Sequence, residues 1–221
     1  MRGSPPSIKV VDNGPNFVGP PPRVHPQVPP GSGFWSFAIC VPNVISRSGQ
    51  PSMADFRWLK DHGWKAVVNL RTPSEANWWG VDVNWWGLKE LNFNYLSLPI
   101  KDNSVPTDKQ VQEFLEFVTS PYNQPVHVYC HAGLGRTGIM ICLYRYMIQG
   151  WPMFVAIIES HFLGDGINRV QTDWLKSWAK THKPGSFPKK PENSVHHDNN
   201  DQIKSGTAIM SGPIGVLKGT R

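Results

Sequence analysis

Residues 130–138 read Cys-His-Ala-Gly-Leu-Gly-Arg-Thr-Gly, and what flanks them decides the fold. Upstream, Pro125-Val126-His127-Val128-Tyr129 has the β-branched character of a buried strand. Downstream, Ile139, Met140, Ile141, Leu143, Tyr146 and Met147 predict a buried helix. The stretch is therefore a loop that leaves a strand and enters a helix N-terminus. Gly133, Gly135 and Gly138 let the backbone curl so that successive N–H groups converge. The helix dipole adds positive potential at the same place. The backbone of His131, Ala132, Gly133, Leu134 and Gly135, closed by Arg136, is thus a candidate cradle for an oxyanion of phosphate size.

Side chains at the two ends of the loop give the cradle its chemistry. A thiol facing several N–H donors, a helix N-terminus and a guanidinium is expected to be a thiolate near neutral pH, so Cys130 is the candidate nucleophile. Arg136 can grip two phosphate oxygens in a bidentate fork, which a lysine cannot do. In this reading Cys130 attacks phosphorus and a phosphocysteine forms. Arg136 and the loop amides hold the equatorial oxygens through the transition state. Thr137 is placed to hydrogen-bond the sulfur and help it leave.

These residues resemble the cysteine-dependent protein tyrosine phosphatase superfamily, whose signature is Cys-x5-Arg-Ser/Thr. The surrounding chain is similar to the small dual-specificity-type and atypical members. The resemblance covers about residues 34–182 and includes Ser46-Arg47-Ser48-Gly49-Gln50-Pro51, Val67-Val68-Asn69-Leu70-Arg71 and Leu98-Pro99-Ile100-Lys101-Asp102. It implies a general acid on a loop between a strand and a helix. Asp102 occupies that place, with Asp108 as a weaker candidate in the first turn of the next helix. The sequence departs from the family at one position: members usually carry histidine directly before the nucleophile, and here that residue is Tyr129.

Outward from the loop, the periodicity predicts an α/β domain. Phe34–Ile39 and Val44–Ser46 read as short strands, Trp64–Leu70 and Asn92–Leu98 as further strands. Ser52 can cap a helix running to His62, with Gly63 as its stop. Pro73 starts a second helix, with Glu75 in its first turn. Thr107 caps a third, in which Val111, Phe114, Leu115 and Val118 recur at helical spacing. Further helices begin near Pro152 and span about residues 169–182. Alternating strands and helices imply a central, mainly parallel sheet covered on both faces, as in protein tyrosine phosphatases. The loop then lies at the carboxyl end of a strand, where open α/β sheets bind ligands.

Composition sets the limits of that domain. The chain has 221 residues, 39% hydrophobic and 17% charged, enough for one globular domain with tails. Prolines crowd residues 1–33, which read as a disordered arm. Residues 183–221 read as a disordered basic tail, leaving 34–182 as the domain. Net charge is +6, of which the arm carries +2 and the tail +3. The basic bias belongs to the ends, so nucleic acid is not the expected partner. Cys40, Cys130 and Cys142 form neither a disulfide framework nor a zinc spacing. Cys40 and Cys142 are expected in the core. With no apolar run long enough to span a membrane and no leader-like segment, a soluble, intracellular, cytoplasmic protein is expected.

Other residues have weaker assignments. Arg47 and Arg71 sit where they could add positive field, with surface salt bridges as the favoured role. Glu75 could orient Arg136. His131 could tune specificity, and Gln171, near Asn168 and Arg169, could position the hydrolytic water. Trp78, Trp79, Trp85 and Trp86 form an aromatic stripe, read mainly as packing. The leading expectation is a phosphomonoesterase of the tyrosine/dual-specificity type acting on a phosphorylated protein or small phosphorylated substrate, with no metal and no cofactor. Two alternatives stand beside it. One is an inositol phosphate or RNA 5′-triphosphate phosphatase on the same fold. The other, favoured by Tyr129, is a phosphate-binding interaction module with little turnover.

Overall fold

The computed structural model describes residues 34–76, 88–163 and 166–187. Five strands form one sheet: β1 (Ala38–Val41), β2 (Ile45–Ser48), β3 (Ala66–Asn69), β4 (Asn94–Ser97) and β5 (Val126–Tyr129). Their order is β1-β2-β5-β3-β4. Only β1 runs antiparallel to its neighbour; every other pairing is parallel. Among the described residues they are accompanied by the helices α1 (Met53–Asp61), α2 (Pro73–Ala76), α3 (Asp108–Thr119), α4 (Gly135–Met147), α5 (Met153–Leu163) and α6 (Arg169–Thr181). The architecture is the expected α/β domain with a central, mainly parallel sheet.

Strand alternation sorts the core into two layers. Val126 and Val128 of β5, with Ala66 and Val68 of β3, face α3, α4, α5 and α6. Val67 and Tyr129 face the other way, onto Phe34, Phe37 and the α1 residues Phe56 and Leu59. Every residue of α4 from Arg136 to Met147 is buried, as its continuous apolar run predicts. The four apolar residues of α3 are all buried too. Reciprocal capping boxes start α1 (Ser52 and Asp55), α3 (Thr107 and Gln110) and α6 (Asn168 and Gln171). Gly63, at φ +92°, ends α1.

Several expected boundaries move. β1 begins at Ala38, because Phe34 and Phe37 fold into a turn that packs against His127 and Trp58. The helix expected after Arg136 begins one residue before it, at Gly135. Packed chain also continues past 182: Gly185 N–H donates to the Tyr146 carbonyl at 2.9 Å, and Phe187 packs against the core. Cys40 and Cys142 are buried free thiols, both pushed up to about 12 by burial. The four tryptophans at 78, 79, 85 and 86 lie outside the described residues. No helix among the described residues is long and apolar enough to cross a membrane.

Candidate active site

Parallel register brings the site together. Ser48 of β2 and Asn69 of β3 both pair with Tyr129 of β5, so the three strands end level. Cys130, Gly49 and Leu70 therefore leave the sheet side by side. Cys130 is buried, and its Sγ accepts from Gly133 N–H at 3.3 Å. Gly133 has φ +75°, and a Cβ there would lie 2.3 Å from Gly49 N. Both the conformation and the close approach demand glycine. The N-cap of α4, Leu134, makes no side-chain capping bond. The first-turn N–H groups of that helix thus stay available to an anion.

Arg136 is held from several sides. Its Nη1 donates to Glu75 Oε2 at 2.6 Å and its Nη2 to Glu75 Oε1 at 2.8 Å, a bidentate pair. Nη1 also donates to the Ile100 carbonyl at 3.1 Å. Nε is buried and has no hydrogen-bond partner among the described residues. Burial would raise the Glu75 carboxyl, but hydrogen bonds from Arg136 and Thr72 outweigh it and bring it to about 2. The orienting role expected of Glu75 is thus visible as geometry. A short α2, starting at Pro73, is what aims it.

Asp102 lies at the mouth, mostly exposed, with Oδ1 3.2 Å from Arg136 Nη2. Its other oxygen accepts from Asn103 Nδ2 at 3.1 Å. The loop that carries Asp102 is tied to the start of α6: Asn168 Nδ2 donates to Asn103 Oδ1 at 3.3 Å, and Gln171 Nε2 to the Ser104 carbonyl at 3.0 Å. Gln171 is fully buried, its Oε1 accepts from Asn168 N–H, and a Cβ on Gly135 would meet it at 2.8 Å. It therefore braces the Asp102 loop and the loop 130–136 together; the sequence suggested a water-positioning role for the same residue. Asp108 accepts from Trp178 Nε1 at 3.1 Å and joins α3 to α6, committed away from Arg136.

Behind the loop stands the segment 46–50. Gln50 N–H donates to the His131 carbonyl at 2.8 Å, and Arg47 Nη2 donates to the Gly133 carbonyl. Neither Arg47 nor Arg71 makes the surface salt bridge favoured by the sequence with any of the described residues. Arg47 is completely buried, because its β2 position pairs with Val128 and so faces the helices. Arg71 is buried as well, donating to Gln50 Oε1 at 2.6 Å and to the Glu75 carbonyl. Thr137 Oγ1 is buried without a hydrogen-bond partner among the described residues, so its expected bond to the Cys130 sulfur is not made. His131 is exposed at the rim, while Leu134 and Gly135 are partly exposed along the loop, as is Ala132.

Sequence reasoning missed a buried polar chain on the far face of the sheet. Trp64 Nε1 donates to Ser46 Oγ at 2.7 Å. Ser46 Oγ and Ser48 Oγ lie 2.8 Å from His127 Nδ1 and Nε2, and Ser48 Oγ donates to the Gly49 carbonyl at 2.6 Å. Burial drops the His127 imidazole to about 3, so it is neutral at physiological pH. One donor direction satisfies the whole chain: Trp64 to Ser46 to Nδ1, then Nε2–H to Ser48 to Gly49. The signal was available in the alternation, since Ser46, Ser48 and His127 share a face once β2 and β5 are paired. A second missed feature is the buried pair of Arg145 with Glu159, at 2.5 and 2.8 Å, which clamps α4 to α5. Tyr129 points to that same far face and packs against Phe56, with ring centroids 5.6 Å apart.

Comparison with known proteins bears on this geometry. A family model described as DSP-PTPase phosphatase fused to NAD+ kinase matches residues 41–174. "Probable NAD kinase 2, chloroplastic" from Oryza sativa subsp. japonica is 23% identical over 150 residues, covering 67% of this chain but 15% of that protein. This chain thus spans only a small part of the length of that relative. Among solved structures, Tk-PTP in its active form superposes with a TM-score of 0.56 at 20% identity, over 66% of this chain and 97% of that one. The core catalytic domain of the PP-IP phosphatase SIW14 from S. cerevisiae gives a TM-score of 0.53 at 22% identity, over 66% and 91% of the two chains.

Proposed function

This chain belongs to the family of dual-specificity-type phosphatase domains described as fused to NAD+ kinase, and we propose that it hydrolyses phosphomonoesters through a phosphocysteine on Cys130. Membership makes it a cysteine-based phosphatase of the protein-tyrosine and dual-specificity type. The observation that carries the mechanism is the constellation of Cys130 Sγ on the Gly133 N–H with Arg136 fixed by Glu75.

The Cys130 thiolate attacks phosphorus as the bond to the leaving oxygen breaks. Asp102, beside Arg136, gives that oxygen its proton. The loop N–H groups and Arg136, whose Nε is not committed elsewhere, hold the equatorial oxygens. Water then attacks phosphorus, returns a proton to the Asp102 carboxylate and releases the thiolate and inorganic phosphate. Substrates are phosphorylated proteins, with phosphotyrosine and phosphoserine or phosphothreonine both admitted.

A second reading, an inositol phosphate substrate, draws on the fold shared with a PP-IP phosphatase domain and on the exposed Lys101 and His131 side chains, next in sequence to Asp102 and Cys130. Phosphate release measured across phosphotyrosine and phosphothreonine peptides and inositol phosphates separates the two. Cys130→Ser is expected to abolish release on all of them, since a serine hydroxyl is a far weaker nucleophile at neutral pH. Near-wild-type release by that variant would overturn the phosphocysteine mechanism.

A further inference from the structure

Arg47 is the least explained charge in the molecule. It is fully buried, yet among the described residues no carboxylate lies within ion-pair distance of it. Only Nη2 is used, on the Gly133 carbonyl; Nε and Nη1 have no hydrogen-bond partner among the described residues. A Cβ on Gly138 would lie 4.0 Å from Nη1, so the guanidinium rests against the first turn of α4. That is the positive end of a helix dipole, an unfavourable place for a cation. The buried carboxylate Glu159 is engaged in its bidentate pair with Arg145. A buried, unpaired cation is expensive and persists only for a reason.

A trans peptide is planar and holds its C=O and N–H on opposite sides. Arg47 pulls the Gly133 carbonyl outward, which turns Leu134 N–H inward. Gln50 N–H does the same to the His131 carbonyl and hence to Ala132 N–H. Arg136 is matched by Glu75 and also touches Asp102, so it contributes little net positive charge to the site. Arg47 is the buried cation in contact with the loop that no acid among the described residues neutralises.

We propose that Arg47 is a positioning residue of the phosphate site: it sets the inward N–H group of residue 134 and supplies the unpaired charge that a bound phosphate dianion balances. The proposal rests on reading 130–136 as the phosphate loop.

The test compares wild type with Arg47→Met, Arg47→Gln and Arg47→Lys in the full chain. Vanadate inhibition, kcat/KM on an aryl phosphate and thermal melting with and without inorganic phosphate are measured. Without phosphate, Arg47→Met is expected to melt no lower than wild type, because it removes an uncompensated buried charge. Phosphate is expected to raise the wild-type melting temperature and to leave that of the Met and Gln variants nearly unmoved. Vanadate affinity is expected to fall at least about tenfold in Met and Gln and to be largely restored in Lys, which keeps the charge. Equal vanadate affinity in Gln and Lys, or wild-type affinity in Met, would overturn the assignment of Arg47. If Met does not fold, the Gln–Lys comparison decides alone. Wild-type protein that is blind to vanadate and phosphate would instead overturn the phosphate-loop reading itself.

Discussion

Cys130, Arg136, Glu75 and Asp102 come from separate stretches of sequence, and Arg136 touches both carboxylates. Its fork is what a lysine lacks. Arg136→Lys should cost roughly two orders of magnitude in kcat/KM, because a point charge replaces neither the bond to Glu75 nor the donor to phosphate. A loss below about tenfold, ~1.4 kcal/mol, would place the arginine outside the transition state. If Asp102 protonates the leaving oxygen, as proposed, its removal should show a different pattern. Asp102→Asn keeps size and polarity but loses the proton. It should hurt substrates with alkoxide leaving groups by ~10²–10⁴-fold and nitrophenyl phosphate much less. Rates across substrates of rising leaving-group basicity check this; an equal loss on all of them would move the acid elsewhere.

At the scale of elements, much was legible. The apolar spacing of α3 and the capping residues Ser52 and Thr107 gave α1 and α3 within a residue or two. The loop 130–136 announced its strand and helix because glycine and flanking hydrophobics agree. What stayed hidden was the pairing of β2 with β5, 81 positions apart at Ser46 and His127. Without that register, Arg47 reads as an outward-facing cation and His127 as an ordinary strand residue. With it, Arg47 faces α4, and Ser46, Ser48 and His127 share the opposite face. The buried histidine makes a pH prediction. Its imidazole sits near 3 when folded against about 6.5 unfolded. Below pH ~6.5 the unfolded chain binds the extra proton, so stability falls as pH drops towards 3, by up to ~1.4 kcal/mol per pH unit. His127→Gln should flatten this slope in chemical denaturation from about pH 4 to about pH 7, which spans the free imidazole value. An unchanged slope would assign the pH dependence to other groups.

For the whole molecule, the two core layers and the site all draw on residues between Phe34 and Phe187. A chain of residues 34–187 should melt cooperatively and keep the full rate on a small aryl phosphate. Ending it at 182 removes Phe187 and the Gly185–Tyr146 hydrogen bond, and should cost about 1–3 kcal/mol. Denaturant melts of the two lengths check this, and equal stability would make 183–187 dispensable. Asp102 bridges to Arg136 directly and to α6 through Asn103, so acid loop, phosphate loop and α6 form one connected network. That network suits the proposed mechanism, in which the site is assembled before substrate arrives and the chemistry is divided between the buried Cys130 and the exposed Asp102.

The central claim, that phosphate passes through Cys130, is tested most directly by trapping the intermediate. Asp102→Asn protein is mixed with nitrophenyl phosphate, quenched in acid within the first turnover, digested and analysed by mass spectrometry. The account predicts one added phosphoryl group on the peptide containing Cys130, absent in the Cys130→Ser/Asp102→Asn double variant. Turnover of the substrate with no phosphoryl group on that peptide at any quench time, or with the group on another residue, would contradict it.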